Sequence, residues 1–149
     1  MAIVTLSEIL ADAHKKKYAV GMFDVFNLEM TKAVIEAAEE EKSPVIVALA
    51  EASVTSKRDL GDLADIINNL SAKSSIPICT HFDHGGNVDS CIFIIQKRFS
   101  SVMFDGSALP YEENIEKTKE VVRYASAAGT SLATCSTAST TSAFGVSTA

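Results

Sequence analysis

Short apolar runs alternate along this chain with longer stretches in which apolar residues recur at helical spacing. The runs Ala19–Phe23, Val45–Ala50, Ile76–Phe82 and Val102–Phe104 predict strands, and the unbroken Val45–Ala50 run after Pro44 suits a strand buried on both faces. Asn27 caps the first predicted crossover helix, with Leu28, Val34, Ala37 and Ala38 on one face and Glu36, Glu39, Glu40 and Glu41 in water. Leu60, Leu63, Ile66, Ile67 and Leu70 mark the next helix, and Val88, Cys91, Ile92 and Ile95 the one after. Tyr111–Ala128 is the most clearly bounded, with Pro110 before it, Glu112 and Glu113 in its first turn and Gly129 after its last. Upstream, Thr5-Leu6-Ser7-Glu8 forms a capping box for a leading helix.

Units that begin about every 25–30 residues are what parallel strands joined by helical crossovers require. The alternation fails after Gly129. No charged residue occurs from Tyr124 to Ala149, and Thr130–Ser142 is mostly Ser, Thr and Ala, so a fifth strand there has little apolar surface to bury. The expected organisation is an α/β body over residues 1–129, built from four βα units with a disrupted fifth. Residues 130–149 read as a low-complexity tail, disordered or aberrant in origin. A closed eight-stranded βα barrel takes about 250 residues, so the chain could supply half of one. An open parallel sheet, complete in itself, fits the same pattern.

With 149 residues, 47% hydrophobic and 21% charged, the composition is that of a soluble globular domain. A net charge of -6 argues against non-specific binding to nucleic acid or anionic membrane. No stretch reaches the length of a membrane span. Cys79, Cys91 and Cys135 are odd in number and lack paired spacing, which points to a reducing, cytoplasmic setting rather than a disulfide framework.

Chemistry gathers at two strand ends. Thr80-His81-Phe82-Asp83-His84-Gly85-Gly86 closes the third strand, and Phe104-Asp105-Gly106-Ser107 closes the fourth. Parallel neighbours lie about 4.8 Å apart, so one rim would carry an imidazole and two carboxylates. Strict alternation puts His81 and Asp83 on one face and turns His84 away, unless Gly85-Gly86 takes positive φ and swings His84 over the rim. In that arrangement Asp83 faces the reaction centre, His84 offers an imidazole to zinc, and Asp105 is a second ligand or orients the first. A solvated loop, with Asp105-Gly106 serving only as a turn, is the plainer reading of the same residues. His81 alone reads as a histidine at the edge of the core.

Four segments in order, Ala19–Glu29, Phe82–Gly85, Ser101–Ser107 and Glu112–Ile115 with Thr118, resemble the class II, zinc-dependent ketose-bisphosphate aldolases. The likeness covers about Val4 to Gly129. It implies a (β/α)8 barrel with zinc at its C-terminal rim, and reversible cleavage of fructose or tagatose 1,6-bisphosphate to dihydroxyacetone phosphate and glyceraldehyde 3-phosphate. By this resemblance Asp83 is the acid that protonates the aldehyde oxygen in condensation, His84 is a zinc ligand, and Asp105 is a carboxylate of a second metal position. A full-length member is expected to be a homo-oligomer.

The departures are as specific as the matches. Where the family carries a strand with two glutamates, this chain reads Leu132-Ala133-Thr134-Cys135-Ser136-Thr137. The later histidines and phosphate-binding loops are absent, so the zinc site is expected to be incomplete and the chain poorly active or inactive by itself. Arg98 stands where a helix end favours Gly, and Asp24 and Ala50 where many members have Asn and Ser. Two other readings stay open: a non-catalytic half-barrel that associates with itself or another chain, and a flavodoxin-like domain whose rim carboxylates bind a cation.

Overall fold

The computed structural model describes residues 2–134 and 145–147. A leading helix α1 (Leu6–Lys16) precedes β1 (Gly21–Asp24), α2 (Leu28–Glu40), β2 (Val45–Ala50) and α3 (Lys57–Ser71). Then follow β3 (Ile78–Gly85), α4 (Val88–Gln96), β4 (Ser101–Phe104), α5 (Tyr111–Ala128), β5 (Ser131–Thr134) and β6 (Gly145–Ser147). The sheet runs in chain order from β1 to β6. Its first five strands are mutually parallel, and β6 pairs antiparallel with β5. Five consecutive parallel strands with helices between them are a partial (β/α)8 barrel.

Local signals decide the element ends. Thr5 and Glu8 complete the reciprocal capping box of α1. Asn27, Ser56 and Asn87 accept from the N–H groups of Met30, Asp59 and Ser90 at the starts of α2, α3 and α4. Gly129, at φ 70°, ends α5 in the left-handed region that a side chain disfavours.

The pleat then sorts side chains onto two faces. Val45, Val47, Leu49, Ile78, Phe82, Val102, Phe104 and Leu132 meet Ile35, Leu60, Ile67, Ile94 and Val121 of the crossover helices in the main core. The opposite face carries Ile46, Cys79, Met103 and Ala133, which pack against Leu6 and Ile9 of α1. Thus α1 covers the lower part of the inner face, and the strand ends above it stay open for chemistry.

Three expectations need correction. The third strand begins at Ile78, after Pro77, whose missing N–H cannot join a ladder, and it runs on to Gly85 rather than stopping at Phe82. A fifth strand does form, because Leu132 and Ala133 are enough to fill the two faces opposite Val102 and Met103, and Ser131 is satisfied by α1. Residues 135–144, 148 and 149, including Cys135 and most of the expected tail, lie outside the described residues. Finally, α2 buries Thr31, Ile35 and Ala38, while Leu28 and Ala37 are exposed. Ala33, Val34 and Ala37 instead line the open groove beside β1.

Candidate active site

The third and fourth strands lose step where the chemistry sits. Phe82 pairs with Val102 and Gly85 with Phe104, so one extra residue is inserted on β3. His84 absorbs it with φ 51°, in the left-handed region. Such a bulge re-aims a side chain. The sequence placed positive φ on Gly85-Gly86; the structure puts it on the histidine itself, and neither glycine has positive φ. Gly85 serves a different need: a Cβ there would come within 2.6 Å of Cys91 Sγ and 2.9 Å of the Met103 carbonyl. The left-handed turn at His84, rather than the two glycines, brings its imidazole beside Asp105.

Asp83 lies between two imidazoles. Its Oδ1 is 3.5 Å from His81 Nε2 and its Oδ2 is 3.7 Å from His84 Nε2. His81 is buried, and its Nδ1 is 2.8 Å from Ser101 Oγ on the neighbouring strand. In a neutral ring with Nε2–H toward the carboxylate, Nδ1 accepts the serine O–H, which orders Ser101, His81 and Asp83 into one line. The adjacent His81 imidazole is the main cause that holds the Asp83 carboxyl below the usual carboxylate range, against the opposing effect of burial. Asp83 is therefore held in its ionised form at neutral pH.

His84 is exposed but anchored. Its Nδ1 lies 2.7 Å from Asp105 Oδ2 at the end of β4, and Asp105 Oδ1 accepts the Ser107 N–H at 3.0 Å. The bond to Asp105 raises the His84 pKa, and the Ser107 and His84 contacts lower that of Asp105. An ionised carboxylate only accepts, so Nδ1 carries hydrogen and Nε2 is left toward Asp83 and the open rim. Asp24, at the end of β1, completes the acidic rim. Its Oδ1 is buried without a hydrogen-bond partner, and burial followed by the Asp83 charge raises its pKa.

Asp83, His84 and Asp105, singled out in the sequence, are thus brought together. The support from His81, Ser101 and Asp24 is not evident from their positions in the chain. The signal was the strand register, in which Asp24, Ala48, His81 and Ser101 fall in one row. Asn114, of the fourth matching segment, is buried against Gly106, where the loop has no room for a side chain, and its Oδ1 accepts from Thr118 Oγ1 at 3.1 Å.

The family profile described as "Fructose-bisphosphate aldolase class-II" matches residues 4–133. The chain belongs to the class II fructose-bisphosphate aldolase family. Among its aldolase relatives is the fructose-bisphosphate aldolase of Geobacillus stearothermophilus, 40% identical over 137 residues that cover 89% of this chain and 47% of the relative. Another is the 6-phospho-5-dehydro-2-deoxy-D-gluconate aldolase of Halalkalibacterium halodurans, 42% identical, with 84% of this chain and 44% of that protein covered. The crystal structure of the YdjI aldolase from Escherichia coli K12 superposes with a TM-score of 0.80 at 34% identity, over 89% of this chain and 51% of that one. The chain spans about half the length of the curated aldolases it matches.

The family's zinc chemistry can be tested against the donors present. A catalytic zinc takes three protein ligands, and among the described residues no group of three His, Cys, Asp or Glu side chains is placed to hold a metal ion. His84 Nε2 is one suitable donor, but Asp105 is engaged on the other ring nitrogen. The described residues of this aldolase-family chain do not by themselves make a zinc centre.

Proposed function

We propose that this chain carries the proton-transfer side of a class II aldolase active site that cleaves a phosphorylated ketose, with fructose or tagatose 1,6-bisphosphate as the first candidates. The observation that supports this best is Asp83, ionised between two imidazoles on the open rim of a partial barrel. In cleavage Asp83 takes the proton from the substrate hydroxyl next to the scissile bond. The O–H electrons form the aldehyde C=O, the carbon–carbon bond breaks, and its electron pair passes to the ketone fragment as an enediolate. Condensation runs the same transfer backwards, with Asp83 returning the proton to the aldehyde oxygen. His84 faces the same space and is proposed as one donor to a zinc site whose other donors lie outside the described residues.

The test is complementation. The chain is mixed with the C-terminal half of the Geobacillus stearothermophilus relative, and fructose 1,6-bisphosphate cleavage is followed with and without chelator. We expect chelator-sensitive cleavage above that of either half alone, lost in Asp83→Asn. If two halves that associate give no cleavage, or if Asp83→Asn cleaves as well as the parent, the reading is wrong.

A second reading, a half-barrel whose role is association, draws on the outer edge of β1. Met22 and Phe23 on that strand, with Phe26 just beyond it, are about half exposed, and a groove of about 550 Å³ runs between β1 and α2. An unpaired edge invites another strand. Sedimentation as a strict monomer at tens of micromolar would remove this reading.

A further inference from the structure

We propose that Glu51 is a positioning residue for His84, acting as a latch that holds the bulge of β3 in its left-handed turn. The proposal rests on the reading of His84 as a working residue of the site. Glu51 opens a single 3₁₀ turn, Glu51–Ser53, directly after β2. Its carboxylate reaches across to the junction of β3 and α4 and accepts three hydrogen bonds there. Oε2 takes the Gly86 N–H at 2.5 Å, while Oε1 takes the Asn87 Nδ2–H at 3.3 Å and the Ser90 hydroxyl. All three donors lie within six residues of His84.

The arrangement has a mechanical consequence. The α4 start is already capped by Asn87, whose Oδ1 accepts the Ser90 N–H, so Glu51 is not needed as the cap. What it adds is a tie from the end of one strand to the loop after the next. A carboxylate beside the first turn of a helix is also favoured by the helix dipole. The tied atom, Gly86 N, is two residues past His84, and φ 51° at His84 is a conformation that a side chain disfavours. Without the tie the loop can relax toward an ordinary extended turn, and the imidazole leaves Asp105. A chain position with no catalytic chemistry of its own thereby sets where His84 Nε2 points.

The experiment is long-range ¹H–¹⁵N NMR of the histidine rings in the chain itself at pH 8, with amide exchange measured at Gly86. In the parent, His84 should be found as the Nδ1–H tautomer that its bond to Asp105 dictates. In Glu51→Ala the His84 tautomers should mix and Gly86 exchange should quicken at least tenfold, while the His81 ring, held by Ser101, keeps its signals and reports an intact fold. Glu51→Gln retains an oxygen acceptor for one side of the loop and should restore the Nδ1–H form of His84. Unchanged His84 signals in a folded Glu51→Ala overturn the proposal. So does a Gln variant that behaves like Ala, or a Gly86 amide that is freed while His84 stays put. These readouts need no turnover, so the proposal fails on the imidazole and the aldolase reading fails on the complementation assay.

Discussion

His84 Nδ1 and Asp105 Oδ2 stand 2.7 Å apart across β3 and β4, although 21 positions separate them in the chain. The contact raises the histidine pKa and helps to lower that of the aspartate. A histidine with a raised folded pKa contributes stability that is complete below its unfolded value, about 6.5, and is lost as pH rises through the folded value. Asp105 contributes above its unfolded value and loses that contribution as pH falls through its lowered one. Because the histidine is exposed, the effect is on the order of 0.5 kcal/mol. Urea unfolding should therefore show stability falling as pH rises from about 6.5, and Asp105→Asn should flatten that fall and move the His84 NMR titration midpoint down.

Asp24 should be a source of instability at neutral pH. Its raised pKa, caused first by burial and then by Asp83, means that the folded state favours the protonated acid. The penalty is absent well below the ordinary aspartate value and grows as pH rises through it toward the folded value. Asp24→Asn should raise the unfolding free energy at pH 7 by on the order of 1 kcal/mol and leave it nearly unchanged at pH 3. Thermal melts at the two pH values check the difference.

Gly85 should not accept a side chain. An added Cβ would press on Cys91 Sγ, Phe82 and the Met103 carbonyl, and the last of these is backbone that cannot swing aside. Gly85→Ala should cost about 1–3 kcal/mol in urea unfolding. Because the same strain falls beside the bulge, the His84 resonances should shift with it.

Arg98 is another non-glycine residue in the left-handed region. It holds φ 65° in the turn between α4 and β4, as the sequence led one to expect where a helix end favours glycine. Arg98→Gly should stabilise the chain by about 1 kcal/mol, read as a higher denaturant midpoint with an unchanged slope.

The sequence reveals the order of strands and helices because each element carries its own period and its own cap. Asn27, Pro110 and Gly129 act at the positions their chemistry suggests. It also brings Asp83, His84 and Asp105 to one rim, since strand ends are marked by the change from apolar to polar residues. What stays hidden depends on pairing. The bulge exists only relative to β4, so nothing in His84-Gly85-Gly86 alone says which residue takes the left-handed turn. Ser101 and His81 meet because their strands align at that row, and Glu51 meets Gly86 because two loops end side by side. Neither is a property of local sequence. The fifth strand was underestimated for a related reason: Ser131 looks like a polar interruption until α1 supplies its partner.

That partner has a consequence for how the chain is made. The Ser7 N–H and hydroxyl meet Ser131 Oγ at 3.2 and 3.0 Å, closing a contact over 124 residues. At about 5–20 residues per second of synthesis, roughly 6–25 s separate the two serines' emergence from the ribosome. Through most of that interval α1 has its apolar side, Leu6 and Ile9, ready while Met103 and Ala133, two of the four buried strand residues it packs against, have yet to be translated. The first helix to be made is among the last to be fully seated, and a nascent chain stalled before β4 presents a helix with half of its floor still to come.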